Sequence, residues 1–147
     1  KNTLIPHEKT VAAYCCPSEK LYDHLPAHYT TSVDAVLFSP PYYNLEIYNS
    51  DEQSFFNYSN YSDWLESYWK STLELCYKLM KPKAKLGFVI SNYRDNEWFC
   101  DDMSEFASII FQEEEISYIK WSSIKRSREA KKTRDGNYER LYLFSKR

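Results

Sequence analysis

Two consecutive prolines, Pro40 and Pro41, directly follow the apolar run Val33-Asp34-Ala35-Val36-Leu37-Phe38-Ser39, and that junction restricts the fold more than any other part of the chain. Apolar and β-branched content marks the run as a strand. Proline lacks the N–H that a β ladder needs and fixes φ, so the strand must stop at Ser39. A strand that is apolar at nearly every position is expected where both faces of a parallel sheet are covered by helices. Its carboxyl end runs straight into a stiff turn followed by Tyr42 and Tyr43. Open α/β sheets bind their ligands at such ends.

The remaining pattern alternates. Lys9 to Cys15 is short, apolar and partly β-branched, and is predicted as a strand before Pro17. A short helix capped by Ser18 follows, running to Leu25. Residues 42–62 are rich in Tyr, Asn, Ser and Phe without a clear period, and a loop of that length calls for a functional reason. Trp64, Leu65, Tyr68, Trp69, Thr72, Leu73, Leu75, Cys76, Leu79 and Met80 recur at helical spacing, with Ser62 and Asp63 as candidate caps. Pro82 ends that helix, Lys85–Ser91 reads as a second buried strand, and Trp98–Phe111 as a second amphipathic helix. Strands are predicted again at Glu115–Trp121 and Glu139–Ser145. The order predicts a single α/β domain over 1–147, with a largely parallel sheet closed by an antiparallel hairpin.

Composition narrows the function classes. Hydrophobic residues make up 43% and charged residues 27% of the 147, the balance of a globular chain rather than a disordered one. No apolar run approaches the roughly 20 residues that span a bilayer. The start, Lys1-Asn2-Thr3-Leu4-Ile5-Pro6, lacks the layout of a secretory signal. Cys15, Cys16, Cys76 and Cys100 contain no C-x-x-C pair. His24 and His28 lie four apart downstream of Cys15 and Cys16, but the usual ligand pattern is missing, so no metal is expected and free thiols in an intracellular, reducing setting are. Glycine occurs only twice, at Gly87 and Gly136, so the chain cannot build the glycine-rich turn that brings backbone N–H groups against a nucleotide cofactor. Charge is uneven: residues 122–147 hold nine Lys or Arg against three acids, a balance of +6 that leaves −8 for residues 1–121 within a net −2. The basic end is a candidate surface for a polyanion, with a solvated loop as the competing reading.

Ser39-Pro40-Pro41-Tyr42, set behind a buried strand and ahead of an aromatic loop and a helix, resembles the signature of the amino-group DNA methyltransferases: Asp, Asn or Ser, then Pro-Pro, then an aromatic residue. Those enzymes move a methyl group from S-adenosylmethionine to N4 of cytosine or N6 of adenine. The chemistry gives such a motif a reason. An exocyclic amine is a poor nucleophile because its lone pair is delocalised into the ring. Acceptors at the Ser39 hydroxyl and carbonyl and the Pro40 carbonyl can draw its protons and favour a tetrahedral nitrogen. Pro40 and Pro41 keep those acceptors rigid. The target base must leave the duplex stack, and Tyr42 is placed to stack on it, with Tyr43 lining the same pocket.

Tyr61–Leu65, Leu79–Ile90 and Tyr138–Lys146 are also similar to that family in type and order, so the resemblance spans about residues 10–146. It implies a Rossmann-like class I methyltransferase fold, of which this chain is the second half, with S-adenosylmethionine as cofactor and DNA, or RNA, as substrate. Cys16 and Pro17 would lie near the cofactor's adenine, and Ser39 near its methyl group. Ser in the first motif position leans toward N4-cytosine. The glycine-rich loop and the acidic ribose-binding residue have no counterpart, which implies an upstream segment or a second chain that supplies them, or a degenerate, non-catalytic nucleic-acid-binding subunit. Beside the motif, the basic stretch holding Lys125, Arg126, Arg128, Lys131, Lys132 and Arg134 becomes a phosphate clamp. Glu46, Asp51 and Glu52 in the aromatic loop read as solvated acids, with Glu46 in reach of a base edge as the alternative. Asn92 and Tyr93 mark a second strand end near the nucleotide.

Overall fold

A computed structural model describes residues 11–45, 54–93, 95–120 and 138–147. Strands β1 (Val33–Phe38), β2 (Met80–Ile90), β3 (Gln112–Lys120) and β4 (Tyr138–Ser145) form one sheet in the order β1-β2-β4-β3. The β1–β2 pair is parallel, while β2–β4 and β3–β4 are antiparallel. The C-terminal hairpin is therefore present, but the expected mostly parallel sheet is not: one described pair of three is parallel. The reason lies at Val11–Cys15, which are exposed and form no strand; without a strand neighbour to take up its N–H and C=O groups, a short apolar run has nothing to hold it extended. Pairing of β1 with β2 shifts between Val33 and Ala35 and becomes regular from Lys85 onward. Pro82 and Lys83, whose φ is 64°, fall in the irregular start of β2, where no ladder bond is required of the proline.

The crossover from β1 to β2 is helical. Helix α1 (Tyr61–Trp64) passes through a π-helical turn (Leu65–Trp69) into α2 (Lys70–Leu79). An α-helix turns about 100° per residue, so side chains five apart stand roughly 140° apart. The wider turn brings Trp64 and Trp69 toward one side, and both are fully buried. The Trp69 indole N–H then donates to the Met103 carbonyl at 2.9 Å, tying the crossover to α3 (Phe99–Ile110). Asn60, rather than Ser62 or Asp63, caps α1, its Oδ1 accepting from the Asp63 N–H, while Asp63 Oδ2 accepts from the Ser59 N–H. Ser18 opens a 3-10 helix (Ser18–His24) without capping it; its hydroxyl instead meets Thr72 Oγ1 at 2.9 Å.

Helices α1–α3 cover one face of the sheet. Leu86, Phe88, Ile90, Tyr142 and Phe144 are buried there against Trp64, Trp69, Phe99 and Met103. Phe88 is the centre, with rings of Trp69 at 5.2 Å, Tyr142 at 5.2 Å and Phe144 at 5.6 Å. The opposite face is different. Leu37 is 72% exposed and Ala35 is exposed, and no described helix packs over them. A Cβ on Gly87 would meet Leu37 Cδ1 at 2.9 Å and Leu143 Cδ2 at 3.3 Å, so the glycine lets leucines from β1 and β4 close over β2. Phe88→Ala is expected to cost about 3–5 kcal/mol, and Leu37→Ala to stay within about 0.5 kcal/mol, as read from urea midpoints; equal losses at the two positions would contradict this division of faces.

Candidate functional site

Because β1 and β2 are parallel, their carboxyl ends open side by side, and the residues after each meet. The Ser39 hydroxyl donates to the Val89 carbonyl at 3.1 Å. Three residues on, the Tyr42 hydroxyl accepts from the Ser91 N–H at 2.8 Å and lies 3.1 Å from Ser91 Oγ. Pro40 is buried between these two ties, and Pro41 is exposed. The proline turn is thus clasped to β2 at both ends. Tyr42 stacks one ring face on Phe99, with centroids 5.1 Å apart and planes at 16°, and presents an edge-on contact to Tyr93 at 5.7 Å. Burial raises its pKa above the ordinary phenol value, the Ser91 hydrogen bonds opposing that shift, so the hydroxyl stays protonated at neutral pH. Tyr43 turns the other way and packs near Tyr61 at 5.3 Å and Trp64 at 5.6 Å.

Beyond this turn lies an open cleft of about 390 Å³ lined by Tyr43, Asn44, Tyr61, Tyr93, Asp95, Asn96, Trp98 and Asp102, within the size range of small-molecule sites. Its walls come from the end of the proline turn, the start of α1, the bend between β2 and α3, and the first turn of α3. That bend is held by paired backbone hydrogen bonds between Tyr93 and Asn96. Asn96 Oδ1 accepts from the Trp98 N–H at 3.1 Å. Asn92, almost fully buried, places its Oδ1 2.7 Å from the Cys100 N–H and satisfies an amide at the start of α3, which has no side-chain cap of its own. On the cleft wall the Tyr61 hydroxyl donates to Asp102 Oδ2 at 3.0 Å, and the Tyr93 hydroxyl donates to Asn44 Oδ1 at 3.1 Å. The cleft therefore combines aromatic surfaces with carboxylate and amide groups.

Among the residues singled out from the sequence, Tyr43 and Tyr93 reach the cleft wall, and Ser39, Pro40, Pro41 and Tyr42 form the turn beside it. Cys16 and Pro17 do not line the cleft; they lead into the 3-10 helix that leans on Thr72. Glu46, Asp51, Glu52 and the stretch Lys125, Arg126, Arg128, Lys131, Lys132 and Arg134 lie outside the described residues. Asn44, Tyr61, Asp95, Asn96, Trp98 and Asp102 escaped the sequence reading, since they come from separate segments with no shared spacing. Among the described residues no group of three His, Cys, Asp or Glu is placed to hold a metal ion, and no helix is long and apolar enough to cross a membrane.

Aromatic packing at this end has a measurable signature. Burial first of all pushes Tyr68, Tyr93 and Tyr142 up to about 12, against about 10 for a free phenol. The unfolded chain then loses these protons first, so their contribution to stability is complete below about pH 10 and falls as pH rises from 10 toward 12. In an alkaline titration the buried tyrosines are expected to ionise only as tryptophan fluorescence reports loss of the fold; complete phenolate absorbance near pH 10 with the fold intact would contradict it.

No protein-family model matches the chain, and no curated protein matches it. Solved structures do. TTHA0409 from Thermus thermophilus, a candidate DNA modification methylase, is similar with a TM-score of 0.59 at 15% identity, over 89% of this chain and 52% of that one. Its complex with S-adenosyl-L-methionine gives 0.54 at 14% identity, over 88% of this chain and 53% of that one. The chain thus spans about half the length of these structures, and at such identities the likeness is one of α/β fold alone.

Proposed function

We propose that this chain is the base-handling half of an S-adenosylmethionine-dependent methyltransferase that acts on an exocyclic amino group in DNA, with N4 of cytosine as the favoured acceptor. The observation that carries the proposal is the proline turn Ser39-Pro40-Pro41-Tyr42, fixed at the carboxyl end of a parallel strand by hydrogen bonds to Val89 and Ser91. With its proton directed to the Val89 carbonyl, the Ser39 oxygen keeps lone pairs for an amino N–H, and the carbonyls of Ser39 and Pro40 are acceptors held by a turn that cannot readily relax. Acceptors fixed before the reaction favour a tetrahedral nitrogen with its lone pair exposed. Stacking of the base on Tyr42 would use the ring face opposite Phe99.

S-adenosylmethionine, when bound, supplies the electrophilic methyl group. The residues of this chain fit only part of it: Ser39 stands at the strand end where a methyl donor must approach, and Cys16 and Pro17 are the candidates for its adenine. Neither Gly87, which lies inside β2, nor Gly136 belongs to a glycine-rich turn, so the cradle for the methionine portion has to come from an upstream segment or a second chain. Leu37 and the outer edge of β1 support that reading. An apolar parallel strand with one neighbour among the described residues and one uncovered face is suited to pair with a further strand and its helix. The basic stretch Lys125–Arg134 would hold the phosphate backbone without reading sequence.

The test is Ser39→Ala combined with Pro40→Ala in the intact protein. Methylation is expected to fall on the order of a hundredfold or more, with DNA affinity changed only several-fold. Retained turnover would remove the turn from the mechanism.

A further inference from the structure

The cleft beside the proline turn contains a side chain whose orientation is set by its neighbours. Asn44 lines the cleft and its Oδ1 accepts the Tyr93 hydroxyl proton at 3.1 Å. Tyr93 is nearly fully buried. With its carbonyl end held by the Tyr93 hydroxyl, the amide has its Nδ2 hydrogens left for a partner in the cleft. An unrestrained asparagine could present either end, donor or acceptor. Here only the donor end is offered.

The rest of the lining is complementary. Asp102 gives one oxygen to Tyr61 and retains acceptor capacity in the other, and Asp95 adds a carboxylate. Trp98 stands at the rim with 62% of its surface exposed, and Tyr43 and Tyr61 supply aromatic wall. A ligand suited to this set is planar and carries an N–H donor next to an acceptor on one edge. An aminated nucleobase has that edge: N4 beside ring N3 in cytosine, N6 beside N1 in adenine. Aromatic faces accept such rings without regard to sequence.

We infer that the target base, with its amino group at the proline turn, extends its neighbouring ring edge into the adjoining cleft, and that Asn44 is a specificity-determining residue, its Nδ2 donating to the acceptor ring nitrogen adjacent to the amino group. The inference rests on the reading of the chain as a base-handling methyltransferase half, and it adds the group that distinguishes an aminated base from one whose ring position carries a proton. Uracil or thymine, with N3–H at that position, would set donor against donor and be rejected. Hypoxanthine, with N1–H, would be rejected in the same way.

Side-chain amide and indole signals of the isotopically labelled chain allow the site to be read directly, without turnover. Deoxycytidine at millimolar concentration is expected to shift the Asn44 amide pair, identified by its loss in Asn44→Asp, together with the Trp98 indole. 3-Deazadeoxycytidine, which lacks the ring acceptor, should shift Trp98 but leave Asn44 in place. In Asn44→Asp the Tyr93 hydroxyl keeps an oxygen to donate to, so the wall is preserved while the donor is lost, and deoxycytidine should bind about five- to tenfold more weakly. If Trp98 shifts and Asn44 does not, or if both nucleosides shift Asn44 alike, Asn44 is not the reader and only this inference falls. If no cleft signal responds to any nucleoside, the base-handling reading fails and the inference with it.

Discussion

The bond between the Tyr42 hydroxyl and the Ser91 backbone N–H is the constraint on which the rest of this end of the molecule depends. It joins the segment leaving β1 to the segment leaving β2, across the parallel pair. From it follow the burial of Pro40, the stacking of Tyr42 on Phe99, and the placement of Tyr93 and Asn92 above α3. Asn92 extends the same logic by satisfying the Cys100 amide, so the start of α3 is anchored to the end of β2. One side of the cleft is thereby fixed to the other through buried hydrogen bonds. A rigid site of this kind suits a reaction whose demand is placement of acceptors rather than a nucleophile on the protein.

The two faces of the sheet divide the molecule's work. On one face Phe88, surrounded by Trp69, Tyr142 and Phe144, holds strands and helices together through ring packing. On the other, leucines from β1 and β4 gather over Gly87 with Leu37 open to solvent. The exposed side of β1 and this leucine face belong together, because a strand added to β1 would bring its crossover segment over the same leucines. The similarity to solved structures is one of fold and covers about half of their length.

Much of the architecture was legible in the sequence, for reasons tied to particular residues. The apolar spacing from Trp64 to Leu79 fixed a helix because those side chains do meet the core. Pro40-Pro41 fixed the end of β1 because no proline can extend a ladder. The insertion of a π-helical turn was not legible, since Trp64 and Trp69 at a spacing of five fit ordinary helical periodicity poorly and yet read as core. The failed strand before Pro17 had sufficient apolar content, but content does not supply a neighbour to pair with. The cleft was the least legible element: Asn44, Asn96 and Asp102 are ordinary polar residues in the chain, and only the approach of three segments gives them a common purpose. The expected mostly parallel sheet failed for the same reason, since pairing is decided by which strands are present to pair.

The central claim is that this fold serves methyl transfer to an exocyclic amine. The most direct measurement is to incubate the intact protein with isotopically labelled S-adenosylmethionine and duplex DNA, digest the DNA to nucleosides, and identify the labelled product by mass. The account requires the label on an exocyclic nitrogen, as N4-methyldeoxycytidine in the favoured case or N6-methyldeoxyadenosine in the alternative. Label on a ring carbon, or no labelled nucleoside while S-adenosylmethionine and DNA are both bound, would contradict it.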